Sequence, residues 1–301
     1  MMPLFTKVVT HTILVSIRQD WLNGLTREHA SEVGVIKLNP VDNNINNLEV
    51  NLGQGSIWRG FLSMLKLGMR HISEGTDHLL FLLTLLLVAP LVAVSGRWAK
   101  FAGLKLSLRH ILSIVSAFTL GHSLTLILAT LLHADLPTQN IEIFIALSIL
   151  ISAIHALKPL FPNRDMLIAA GFGLIHGLAF SFTLTELKLS SSQLVLSLLG
   201  FNLGIELMQL LIIALIMPWL ILLARTSFYA SFRRIGAASA GIAALAWLFE
   251  RLLSKANPVT LFVQSLADKG FYLLAGLALL ALGMTLWQYL NPKFKSALGY
   301  H

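Results

Sequence analysis

After residue 77 the chain alternates long apolar runs with short polar breaks. Seven runs qualify as membrane crossings: 78–94, 111–132, 141–156, 166–184, 194–223, 235–253 and 271–290. Each approaches the roughly 20 residues that bilayer hydrocarbon demands of a helix. The fifth is the longest and carries Pro218, which predicts a tilt or kink. Residues 57–73 follow a different period, with Arg59, Lys66 and Arg70 set against Phe61, Leu62, Leu65 and Met69, and Trp58 at the start. A basic amphipathic helix of this kind belongs at a membrane interface. Residues 1–56 differ again: alternating runs at 11–18, 33–38 and 48–52 predict short strands, and 42–47 is Asn-rich. The predicted fold class is therefore all-α, a polytopic helical membrane bundle of about seven transmembrane helices over 74–301, entered by an interfacial helix at 57–73 and preceded by a short β-rich amino-terminal segment. Two or three strands cannot bury a core alone, so 1–56 reads as the remnant of a larger extracytoplasmic domain or as a piece docked on the bundle. No basic stretch followed by about 7–15 apolar residues marks a signal peptide near Met1.

Composition sharpens this picture. Hydrophobic residues make up 56% of the chain and charged residues 12%, about half the charged share of soluble domains. A formal charge of +8 could suggest nucleic acid, but the basic residues occupy short loops instead of a patch with interleaved aromatics. They set topology. Arg97, Lys100, Lys105 and Arg109 fill the first loop, Lys158 and Arg164 the third, Arg225, Arg233 and Arg234 the fifth, and Lys293 with Lys295 the tail. The positive-inside rule makes these cytoplasmic, with the amino terminus outside and the carboxyl terminus inside; Arg251, Lys255 and Lys269 in the sixth loop run against it. There is no cysteine, so any metal here is held by imidazole and oxygen donors.

The candidate chemistry begins at the mouth of the first run, His71-Ile-Ser-Glu-Gly-Thr-Asp-His78. In a continuous helix His71, Glu74 and His78 share a face, with Asp77 beside Glu74. Charged groups at the edge of bilayer hydrocarbon persist where they pair, face a wet cavity or hold a metal. Further polar groups lie inside later runs: Thr119, His122 and Ser123 in the second, His176 in the fourth, Asn202 and Glu206 one turn apart in the fifth. From the helical rise, His122, His176 and Glu206 come to about 12–19 Å below the outer surface. Small-residue pairs at Gly173/Gly177 and Gly200/Gly204 predict close helix approach beside them. Taken singly, a buried His122 or His176 is more often a hydrogen-bonded packing residue, and Glu206 with Asn202 reads equally well as an interhelical hydrogen bond. Together, at one depth, they argue for a polar functional site. His110, His133 and His155 fall toward the ends of runs and read as interfacial.

His71-x5-Asp77-His78 followed by Leu-Leu-Phe-Leu-Leu, then Ala117-Phe-Thr-Leu-Gly-His-Ser123, Phe172-Gly-Leu-Ile-His-Gly177 and Gly200-Phe-Asn-Leu-Gly-Ile-Glu206, resembles the HupE/UreJ family of bacterial membrane proteins. The resemblance covers about 58–250. It implies a multi-pass protein of the bacterial inner membrane, related to nickel or cobalt permeases encoded beside hydrogenase or urease genes, and larger members with an extracytoplasmic domain before the bundle. The permease pattern also has a motif Phe-His-Gly-x-Ala-His-Gly-x-Glu. This chain keeps Gly173, His176 and Gly177 but has Phe172 in place of the first His and Ala179 in place of the Glu, two donors fewer.

Two functions stay open at this point. The first is a divalent-cation permease, with the metal held by His71, Asp77, His78, His122, His176 and Glu206, supported by Glu74, Ser123 and Asn202. The second is an intramembrane metal-dependent hydrolase on the same cluster, with nickel, cobalt or zinc activating water and Glu74 or Glu206 as general base. No His-Glu-x-x-His motif supports the latter. A third, an assembly scaffold, has no positive sign in the sequence. The expected partners are the lipid bilayer and a divalent metal ion, with no nucleic acid; the metal's identity, energy coupling and oligomeric state are left open, a homo-oligomer included.

Overall fold

The computed structural model describes the backbone of residues 12–17, 20–24, 31–39, 44–45, 55–132, 137–186 and 189–291. Strands β1 (Thr12–Ile17), β2 (Ser31–Asn39) and β3 (Asn44–Ile45) form an antiparallel sheet in that order. The strand expected at 48–52 lies outside the described residues. A 3-10 turn, Trp21–Asn23, ties the segment to the bundle: Trp21 Nε1 donates to Ser197 Oγ at 2.8 Å, and its indole covers Gly60, where a Cβ would collide with the ring.

Among the described residues the rest is mainly helical. Helix α1 (Ile57–Glu74) is capped by Ser56 Oγ, which accepts from Trp58 N. It ends at Gly75, where the chain bends by 69° into α2 (Thr76–Val88). The first expected crossing, 78–94, therefore stops early. Beyond Pro90 the chain makes a hairpin, β4 (Leu91–Val94) with β5 (Arg97–Phe101), turned by Ser95 at φ 50° and Gly96 at φ 73°. Two consecutive positive φ values make the tight turn whose twist matches paired strands.

Then come α3 (Leu104–Leu131), α4 (Thr138–Leu157), α5 (Asp165–Glu186), α6 (Ser191–Ala224), α7 (Tyr229–Leu253), α8 (Pro258–Ala267) and α9 (Gly270–Leu290). Pro218 lies within α6, which runs on through it. Among the described residues α3, α4, α6, α7 and α9 are long and apolar enough to cross a membrane, and the bent α1–α2 pair makes a sixth candidate. The first expected run crosses only as part of that bent pair, and α5, 22 residues long and so about 33 Å by the helical rise, has the length of a further crossing, with its side chains described as far as residue 181. The chain is a helical membrane protein.

Two helix pairs are welded by glycine. Between α3 and α5, a methyl group on Gly121 would overlap Ala170 O, one on Gly173 would overlap Phe118 O, and one on Gly177 would overlap His122 O. Between α1 and α6, Gly68 meets Phe201 O and Gly204 meets Leu65 O in the same way. Backbones this close are possible only with hydrogen at those positions. Helix α1, expected at an interface, thus packs lengthwise on α6, burying Gly60, Met64, Leu67, Gly68 and Ile72. A third pair, α4 with α7, packs on Ala146, Ala153, Ala237, Ala240 and Ala244, and α2 reaches α1, α4, α6 and α7.

Candidate metal centre

The break at Gly75 assembles the site. With no side chain there, His71 at the end of α1 and His78 in the first turn of α2 fold toward each other, their ring centroids 4.6 Å apart. A Cβ on Gly75 would stand 3.0 Å from His78 Nδ1 and 3.2 Å from Asp77 Oδ1. Asp77 lies in the first turn of α2, where a carboxylate suits the helix dipole, and its Oδ1 is 3.1 Å from His78 Nδ1.

The glycine seam of α3 and α5 brings two more imidazoles. His122 lies 6.1 Å from His71 and 6.3 Å from His78, ring centre to ring centre, and His176 lies 4.9 Å from His78. Two groups of potential ligands result, His71/His78/His122 and Asp77/His78/His176, with one donor atom from each residue lying within 4.8 Å of the others in its group. His78 belongs to both. Phe118 and Phe201 wall the cluster, with Phe81 against His176 and Phe180 against His71. His78 is 4% exposed and His122 and His176 are fully buried, while the Asp77 side chain, 32% exposed, opens the cluster to the surface.

The donors fit a metal. His71 Nε2, His78 Nε2, His176 Nδ1 and both ring nitrogens of His122 are buried with no hydrogen-bond partner. Buried polar atoms are ordinarily satisfied, so orphans concentrated in one place mark a site made for something else. The remaining nitrogen of His176, Nε2, is 3.0 Å from Ser148 Oγ of α4, and His78 Nδ1 faces Asp77; such outer partners fix ring orientation in metal sites. Imidazoles with a carboxylate suit borderline divalent ions such as nickel, cobalt and zinc.

Other sequence candidates lie elsewhere. Glu74 stays outside the cluster: it pairs with Arg70 Nε at 3.5 Å and is 72% exposed, and the bend at Gly75 breaks the helical offset that would have set it on one face with His78 and beside Asp77. Glu206 Oε1 accepts from Ser116 Oγ at 3.0 Å and belongs to neither donor group. Ser123 Oγ donates to Thr119 O, which leaves it bound within its own helix. Asn202 donates from Nδ2 to Leu198 O; its Oδ1 is buried and turned toward His122 without hydrogen-bond geometry. Phe172 packs edge-on against Phe81 where the permease pattern has a His. His133 lies outside the described residues.

One cluster escaped the sequence reading. His110 Nε2 and His155 Nε2 stand 3.2 and 3.0 Å from the two oxygens of Asp165, joining the other ends of α3, α4 and α5. Only the Asp165 at a helix start hinted at it.

No curated protein and no solved structure matches the chain. A family model described as HupE / UreJ protein matches residues 47–251. That match takes in well over half of the sequence, including every helix that contributes a donor to the histidine cluster, and the protein is a member of the HupE / UreJ family.

Proposed function

We propose that this protein is a divalent-cation permease of the nickel or cobalt class, taking its ion at His71, Asp77, His78, His122 and His176. The observation that carries the reading is that two three-donor groups share His78. An ion held by one group passes to the other by exchanging two ligands while His78 stays bound. A conduit needs such stepwise binding, favourable enough for entry and divided enough for release. Membership of the HupE / UreJ family supports it, since that family is related to nickel and cobalt transport.

On this reading the cluster opens outward from the bacterial inner membrane, with the amino terminus outside, residues 1–56 extracytoplasmic and the carboxyl terminus in the cytoplasm, as the Lys and Arg of alternate loops favour. Asp77 draws the cation to the mouth. Glu206 serves the path below: its partner Ser116 is about 9 Å from His122 along α3. A hydrolase would need a base beside the ion, and the outward turn of Glu74 and the engagement of Glu206 with Ser116 weigh against it.

Uptake by sealed vesicles containing the purified protein tests the proposal. Nickel added outside accumulates with time in wild-type vesicles and not in His78→Ala vesicles. Binding of nickel without accumulation in the wild type would refute transport.

A further inference from the structure

We propose that Glu206, Ser116, Thr119 and Gln209 form a second divalent-cation station, built of oxygen donors at mid-depth between α3 and α6. That ions reach it from the histidine cluster rests on the permease reading; that it binds a cation does not. Ser116 lies about 18 Å from the start of α3, about 22 Å from its end and about 9 Å from His122.

Two contacts fix the geometry. Ser116 Oγ donates to Glu206 Oε1 at 3.0 Å, and Thr119 Oγ1 donates to Gln209 Oε1 at 2.9 Å. Asn202 turns toward His122 while Glu206, one turn further along α6, meets Ser116, so α3 and α6 run in opposite senses. On such helices, pairing 116 with 206 and 119 with 209 makes the two long side chains cross. Ser116 and Thr119 are neighbours on α3, about 5–6 Å apart between Cβ atoms, and the crossing draws four polar side chains into that span.

The carboxylate is what hydrogen bonding alone leaves unexplained. Thr119 and Gln209, both buried, join the same two helices with a neutral pair. Glu206 makes an equivalent contact with an ionisable group, and among the described residues no lysine, arginine or histidine pairs with it. Acidic groups inside membrane spans concentrate where they pair or serve ions. A cation supplies the opposite charge that the chain does not. The amide can follow, because Thr119 has one hydroxyl proton and two acceptors for it, Gln209 Oε1 and, at 3.1 Å, Val115 O. With the proton turned to Val115 O, Gln209 Oε1 is free to ligate.

The donors also set the chemistry. Carboxylate, amide and hydroxyl oxygens are harder than imidazole, so manganese suits this station better than it suits the histidine cluster. Selection for nickel belongs to the imidazoles, and the oxygen station, holding nickel less tightly, lets it move on.

Manganese binding, with the free ion counted by electron paramagnetic resonance, tests the station in His78→Ala protein, which lacks the donor common to both histidine groups. That protein binds one manganese ion per chain. Adding Glu206→Gln, which keeps an acceptor for Ser116 and removes the charge, lowers the affinity by more than about 10-fold, the least that losing an outer partner costs a metal site. Adding Ser116→Ala lowers it too, with monodisperse elution of each variant as the check on folding. Absence of bound manganese in His78→Ala, or binding that neither second substitution weakens, overturns the proposal. Nickel uptake by vesicles keeps the two readings apart. Glu206→Gln in the otherwise wild-type chain binds nickel at the histidine cluster and accumulates it more slowly; uptake equal to wild type overturns the station's place on the route. Wild type that accumulates nickel while His78→Ala binds no manganese sinks the station alone. Manganese binding that Glu206→Gln weakens, in a protein showing no uptake, sinks transport alone.

Discussion

His78 Nδ1 faces Asp77 Oδ1 at 3.1 Å while Nε2 of the same ring is buried and unpartnered. The carboxylate orients the ring and sets which nitrogen is free, the arrangement by which metal-binding histidines are held. Because His78 also belongs to both donor groups, it is the residue on which the site depends most.

His78→Ala removes a ligand from both groups, whereas His122→Ala removes one from a single group. Nickel affinity, measured by titration calorimetry, falls in His78→Ala by more than the roughly 10- to 100-fold typical of losing an outer partner, and falls less in His122→Ala. Equal losses would contradict the sharing of His78.

Ser148→Ala leaves His176 Nε2 without its hydroxyl partner and touches no proposed ligand other than through that contact. Nickel affinity drops about 10- to 100-fold with thermal stability little changed. Unchanged affinity would mean that Ser148 does not orient the ring.

A methyl group at Gly75 would stand 2.5 Å from His71 O and press on His78 Nδ1 and Asp77 Oδ1 at 3.0 and 3.2 Å. Gly75→Ala therefore shifts the end of α1 against α2 and weakens nickel binding by moving His71, Asp77 and His78 together, in a protein that still elutes as a single species. The same calorimetric titration reads it; wild-type affinity would show that the bend tolerates a side chain.

The glycine seam predicts a contrast in stability. Gly173→Ala drives a methyl group into Phe118 O and costs about 1–3 kcal/mol, the usual penalty for overpacking. Gly241→Ala, whose Cβ would find Ala153 Cβ at 3.7 Å, meets ordinary contact and costs little. Thermal unfolding in detergent distinguishes them.

Metal ligation requires unprotonated imidazole, so protons compete with nickel at a site of four histidines. Affinity falls once the medium is acid enough to protonate the imidazoles, read by calorimetry across a pH series. Affinity unchanged even through that range would exclude the imidazoles as ligands.

The donors were legible because imidazoles and carboxylates are rare inside apolar runs, and His71, Asp77, His78, His122 and His176 do meet. Their arrangement was not. A helical offset from His71 to His78 assumes a continuous helix; the bend at Gly75 brings those two rings together by another route and parts Glu74, paired with Arg70 on α1, from Asp77 and His78. Hydropathy also cannot separate a helix from an apolar strand, so Leu91–Val94 was absorbed into a crossing although Ser95-Gly96 signals a turn. Asp165 drew no notice because its partners, His110 and His155, come from other helices and share no period with it.

The central claim is that imidazoles from α1, α2, α3 and α5 form one cluster that holds a cation on three donors at a time. The nickel K-edge absorption spectrum of protein loaded with a single equivalent measures that coordination directly. The account predicts the outer-shell scattering of two or three imidazoles; a shell of oxygens with at most one imidazole would contradict it.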